Sequence, residues 1–205
     1  RGYDAWLAAR SADATAAEVH GMLQDCRRSE IRAVWERTGL GLYPGDWGRT
    51  MSLLKYAGVT DVFVNVAGAA YAHYASSILP RSRLFGEYGD QLAACCDAAQ
   101  RAGIRVHAWV VCFSLEGATS SRIEIFRSRG WTLTGDGSAQ YKWLDPSVPA
   151  VREYLVGAIS EIVSRYPVSG IHVDFVRYPD VASAYGAESL ARFENAEGGR
   201  IKDMQ

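Results

Sequence analysis

The stretch GIHVDFVRYPD, residues 170–180, decides the fold. Read as a strand, its side chains alternate between two faces. Ile171, Val173 and Phe175 form an apolar face, and His172 and Asp174 lie on the other. Arg177 and Tyr178 follow where the strand ends. A strand buried on one side and carrying a carboxylate and an imidazole on the other has the pattern of a cleft lining.

Working back along the chain, the same unit recurs. EIRAVWERTG (30–39) reads as a first strand, VTDVFVNVAG (59–68) as a second and IRVHAWVVCF (104–113) as a third, with 170–180 as the fourth. Helical segments separate them: RTMSLLKYAG (49–58), DQLAACCDAAQRAG (90–103) with Asp90 at its cap, and SVPAVREYLVGAISEIVSRYP (147–167) with Ser147 as cap and Pro149 in its first turn. Strand, loop, helix, repeated, predicts parallel βα units. The connections after the strands are long and aromatic, and those before them are tight. In parallel α/β folds the functional face is the carboxyl end of the strands.

A doubly wound sheet and a (β/α)8 TIM-type barrel compete for this pattern. RTGLGLYPGDW (37–47) holds a G-x-G but no full dinucleotide fingerprint, which favours the barrel. Four units are visible, so the expectation is the amino-terminal half of a barrel over 30–205. Residues 1–29 read as a helical lead-in, with Asp13 or Thr15 capping a helix through Val19, Met22 and Leu23, and His20 on its surface. The stretch AESLARFENAEGG after Asp180 reads as helical.

The chain has 205 residues, 48% hydrophobic and 22% charged, with a formal net charge of −1. That balance argues against a nucleic-acid partner held by counterion release. No apolar run reaches a membrane span of roughly 20 residues. Cys95 and Cys96 read as buried helix positions and Cys112 as a buried strand position, and no C-x-x-C suggests a metal. No cofactor is expected, and oligomeric state is not legible.

On the polar strand faces, Asn65, His107, Trp109, His172 and Asp174 converge toward the upper rim. Strand one adds Glu36 or Arg37, its phase undecided. A carboxylate at a strand's carboxyl end can act as nucleophile, base or stabiliser of an oxocarbenium ion. Arg177 can hold it or bind substrate. Tyr43, Trp47, Tyr71, Tyr74, Trp131, Tyr141 and Trp143 crowd the loops, a density that suits sugar stacking or plain packing. Asp145 in WLDPS is either a turn former or a substrate contact.

Five motifs, RAVW (32–35), YASSILP (74–80), GIRVHAW (103–109), WLDPSVPAVR (143–152) and GIHVDFVRYP (170–179), together resemble the bacterial glycosyl-hydrolase-like family 10 domain. The resemblance implies a TIM-type barrel, action on a polysaccharide such as bacterial cell-wall glycan, and an extracytoplasmic location. It makes Asp174 the catalytic carboxylate and His107, Trp109, His172, Arg177 and Tyr178 site residues. Glycosidases generally use two carboxylates. The second is Glu36 or lies on a later strand, the latter favoured. Two alternatives stand beside a glycoside hydrolase: a non-catalytic glycan-binding barrel, and a metal-dependent hydrolase with His107, His172 and Asp174 as ligands.

Overall fold

The computed structural model describes residues 2–23, 29–133, 142–180 and 187–197. It divides into two compact units, Arg1–Ile31 and Arg32–Gln205. The first holds α1 (Gly2–Leu23), a single helix. Asp13 and Thr15 lie inside it rather than at a cap, and the Thr15 hydroxyl donates back to the Ser11 carbonyl at 2.9 Å. Alanine-rich sequence between these polar residues carries the helix through them. His20 is exposed.

The second unit is built on four parallel strands: β1 (Ala33–Glu36), β2 (Asp61–Gly68), β4 (Arg105–Val111) and β5 (Gly170–Asp174). A two-residue strand, β3 (Tyr71–Ala72), turns back antiparallel on the end of β2. The sheet order is β1-β2-β4-β5. Each parallel strand therefore lies beside the next one in sequence, as in a singly wound (β/α) barrel. A doubly wound sheet would reverse order at a switch point. The four units form an arc of a TIM-type barrel.

Helices α2 (Trp47–Tyr56), α4 (Gln91–Ala102) and α6 (Pro149–Arg165) connect these strands. Val62, Val64 and Val66 of β2 and Val106, Ala108 and Val110 of β4 form the core with Met51, Leu92, Cys95, Leu155 and Ile162 of the helices. Removing that apolar face from water is the main stabilising contribution. The α4 ends follow the sequence reading: Asp90 accepts from Ala93 N, and Gly103 adopts the left-handed conformation at φ 69°. At α6 the N-cap is Val148, not Ser147. Asp145 forms a turn just upstream and takes the Ser147 amide at 2.8 Å, which places Ser147 before the helix.

Two long connections contain helices that the sequence pattern does not reveal: α3 (Arg83–Tyr88) and α5 (Ser120–Ser128). A further helix, α7 (Ala187–Glu197), follows β5. The YASSILP motif is scaffolding. Buried Glu161 of α6 accepts from the Ser76 hydroxyl at 2.5 Å and from the Ser77 amide and hydroxyl at 2.7 and 2.6 Å. Burial opposes its ionisation, but these hydrogen bonds outweigh that and hold its carboxyl down to about 2.

Candidate active site

The inner face of the arc is set by register. Asn65 pairs with Trp109, Trp109 with His172, and Val111 with Asp174. Asn65, Trp109 and His172 therefore form one row across three strands, with Asp174 one step higher at the carboxyl end. The Trp109 indole Nε1 donates to Asp174 Oδ2 at 3.0 Å, and the Phe175 amide donates to Oδ1 at 2.7 Å. Both carboxylate oxygens are thus oriented by fixed donors.

Phe175 occupies φ +53°, where a bulky residue is an outlier. Its ring packs edge-on against Trp143 at 5.6 Å, and the Trp143 indole donates to the Arg177 carbonyl at 2.9 Å. These contacts hold the strained turn that aims the Phe175 amide at Asp174.

Tyr71 comes to the site because β3 folds back on β2. Its hydroxyl donates to Asn65 Oδ1 at 2.9 Å. Burial raises its pKa; the Asn65 hydrogen bond opposes the rise and the nearby Asp174 charge adds to it. Gly68 permits this return, since a Cβ there would lie 2.6 Å from the Tyr71 ring. Buried His73, which the sequence reading passes over, stands beside Tyr71 with ring centroids 5.0 Å apart. Its Nδ1 is 2.7 Å from the Ser82 hydroxyl, and desolvation lowers its pKa to about 4.

The other sequence candidates fall elsewhere. Glu36 pairs with Val64, on the helix-facing side of the sheet. Its oxygens accept from Thr38 and from the Gly39 amide at 2.7 Å. The structure does not bring Glu36 to Asp174; Trp35, not Glu36, occupies the inner face and stacks on Phe63 at 4.9 Å. His107 lies lower in the barrel, at the level of Gly170. Its Nε2 is 2.7 Å from Asp61 Oδ1, and its ring stacks on Phe63 at 4.6 Å. Arg105 donates to both oxygens of the same Asp61 at 2.8 and 2.7 Å. His107 thus belongs to a floor network.

The His172 ring meets Trp35, Phe63 and Trp109 edge-on. The three ligands of the metal reading are therefore dispersed, and among the described residues no group of three or more such donors converges. Arg177 donates to the carbonyls of Tyr178 and Pro179, each at 3.2 Å, and lies over the Trp143 and Phe175 rings. It shapes the turn after β5 instead of pairing with Asp174. The Tyr178 hydroxyl is 3.3 Å from Ser189 of α7. Asp145 is the turn former, and Trp143 is buried.

Most loop aromatics are packing residues. Trp47 and Tyr74 are fully buried, with the Trp47 indole donating to Gln91 at 3.0 Å. Trp131 packs on Phe126 and Tyr154. Tyr43 lies under Arg49, and Tyr141 is outside the described residues. The aromatic groups gathered around Asp174 are Trp109, Tyr71 and Phe175.

Residues 30–200 match the family described as Glycosyl hydrolase-like 10. The chain is 30% identical over 146 residues to glycosyl hydrolase DigH of Escherichia coli K12, covering 62% of this chain and 33% of that protein. It is 25% identical over 186 residues to glycosyl hydrolase YngK of Bacillus subtilis, covering 80% and 36%. The chain thus spans about a third of the length of these relatives. Among solved structures, the fold resembles a GH20 exo-β-N-acetylglucosaminidase from Vibrio harveyi (TM-score 0.56, 11% identity, 85% of this chain and 31% of that one). It also resembles α-L-fucosidase isoenzyme 2 from Paenibacillus thiaminolyticus (TM-score 0.54, 16% identity, 82% and 26%). At these identities the likeness is one of fold.

Proposed function

Because the chain belongs to the glycosyl hydrolase-like 10 family, we propose that it hydrolyses a glycosidic bond in a polysaccharide, with Asp174 as a catalytic carboxylate. The observation that carries this reading is the double orientation of Asp174 by Trp109 and Phe175 at the carboxyl end of β5. A carboxylate so held can attack the anomeric carbon, or stabilise the positive charge that develops there. Two fixed donors remove the need to reorganise it as the transition state forms. Tyr71 and Asn65, hydrogen-bonded to each other beside it, offer polar contacts to sugar hydroxyls.

The family resemblance favours bacterial cell-wall glycan as substrate, acted on outside the cytoplasm. The second carboxylate is assigned to a partner other than Glu36, whose side chain serves the Thr38–Gly39 turn on the opposite face.

The test is release of reducing ends from purified wall glycan strands by the protein that carries this sequence. Turnover supports the reading. Binding without turnover would favour the glycan-binding alternative and end the enzymatic one.

A further inference from the structure

A cavity of about 570 Å³ opens between the segment entering α3 and the segment entering α5. Arg81 and Arg83 line it from one side and Arg122, in the first turn of α5, from the other. Tyr71 and His73 also line it. No carboxylate is among the described residues of the lining. Arg81 is held in place: its Nε donates to the Ser76 carbonyl at 3.3 Å, and its guanidinium lies over the Phe85 ring. Arg122 is half-buried, and neither it nor Arg83 forms an ion pair among the described residues.

Three arginines line one cavity, Arg81 and Arg83 exposed and Arg122 half-buried, so their mutual repulsion is screened by solvent but has no opposite charge in the lining to offset it. His73 adds no fourth charge near neutral pH, because burial lowers its pKa to about 4. All these features favour an anion. A planar guanidinium pair also suits two-point recognition of carboxylate or phosphate oxygens.

Tyr71 ties the cavity to the chemistry, since it both lines the cavity and donates to Asn65 beside Asp174. We propose that this cavity is a subsite for an anionic substituent, a carboxylate or a phosphate ester, carried by the glycan whose neighbouring bond lies at Asp174. The assignment rests on the glycoside-hydrolase reading above.

The experiment measures binding by calorimetry to the Asp174→Asn protein, which removes turnover from the comparison. The probes are chitotetraose, its 6-O-carboxymethyl derivative and its 6-phosphate. At least one charged probe should bind tenfold or more tighter than the neutral one. In Arg83→Gln/Arg122→Gln protein with unchanged Tm that gap should close, and rising salt should narrow it in the parent. Which charged probe gains separates the carboxylate from the phosphate source. Equal binding of neutral and charged probes overturns the subsite and leaves the glycan reading standing. A preference that survives in the double variant overturns it as well. If no probe binds, the subsite is overturned, and turnover of wall glycan by the unmodified protein decides the parent reading separately.

Discussion

The Trp109 indole donates to Asp174 Oδ2 at 3.0 Å, from one strand to the next. Trp109 stands two residues before the end of β4, and Asp174 ends β5. The indole reaches upward along the strands to a carboxylate one step above it. This contact converts a tryptophan in the row of Asn65 and His172 into the support for the group assigned to chemistry.

Trp109→Phe keeps the aromatic surface and removes the donor. A hydrogen bond to a charged group contributes about 1.5–3 kcal/mol. We expect kcat to fall roughly 10- to 100-fold on that scale, with a smaller change in KM and in Tm. Separate determination of kcat and KM checks this; an unchanged kcat would remove Trp109 from the positioning role.

Glu36→Gln should leave most activity intact. Its oxygens serve Thr38 and Gly39, and its charge reaches Cys95 of α4, whose thiol is pushed up chiefly by burial and further by Cys96 and Glu36. The expected effect is a loss of about 1 kcal/mol in stability from weakened turn hydrogen bonds. A loss of turnover as large as that from Asp174→Asn, in folded protein, would contradict the placement.

Two glycines at positive φ give a paired test. At Gly39 (φ +69°) an added Cβ would meet the Asn65 carbonyl oxygen at 2.5 Å, whereas at Gly117 (φ +80°) it would meet nothing within 4 Å. Both alanine variants bear the left-handed backbone cost of roughly 1–2 kcal/mol. Only Gly39→Ala adds a backbone collision at the site row. Urea melts should show it the less stable by at least about 1 kcal/mol, on the scale of overpacking. Equal losses would exclude the close approach.

Acid should weaken the fold through its floor. The Arg105 guanidinium first, with Thr60 and His107 helping and burial opposing, holds Asp61 well below the usual carboxylate range. A folded-state pKa below the unfolded one contributes stability that is full above the unfolded value near 3.8 and is lost as pH falls below it. Glu161, held down to about 2, acts with the same sign. Urea midpoints should begin to drop at about pH 4.5 and fall most steeply from about pH 4 down to about pH 2. Asp61→Asn should reduce that slope and cost about 2 kcal/mol at pH 7, a discounted value because Arg105 is largely exposed. An undiminished slope in the variant would show that Asp61 is not the titrating group.

The parallel strands and long helices were legible as elements because apolar residues recur at the strand or helix period; only at α4 were both ends read correctly, from Asp90 and Gly103, whereas the caps of α1 and α6 were misplaced. The inner face of β4 and β5 was legible too, since alternation assigns faces. Height along the barrel was not: alternation places His107 and Trp109 together, and only register separates the floor from the rim. Glu36 ends a four-residue strand, too short for its phase to be read. Nor could loop composition separate Tyr71 from Trp47, because both are aromatics in polar surroundings. A two-residue strand brings one to the site, and a buried glutamine takes the other into the core. His73 carried no periodic signal at all.

Asp174 carries the proposed chemistry, and the most direct measurement is turnover of wall glycan strands by Asp174→Asn beside the unmodified protein, with binding of the same strands measured in parallel. Asparagine keeps the shape but has a single acceptor oxygen, so it accepts from Trp109 or from the Phe175 amide, not from both. Loss of a thousandfold or more in kcat, with binding within a few-fold and Tm preserved, is the expected result. Turnover by Asp174→Asn within tenfold of the unmodified protein would contradict the assignment.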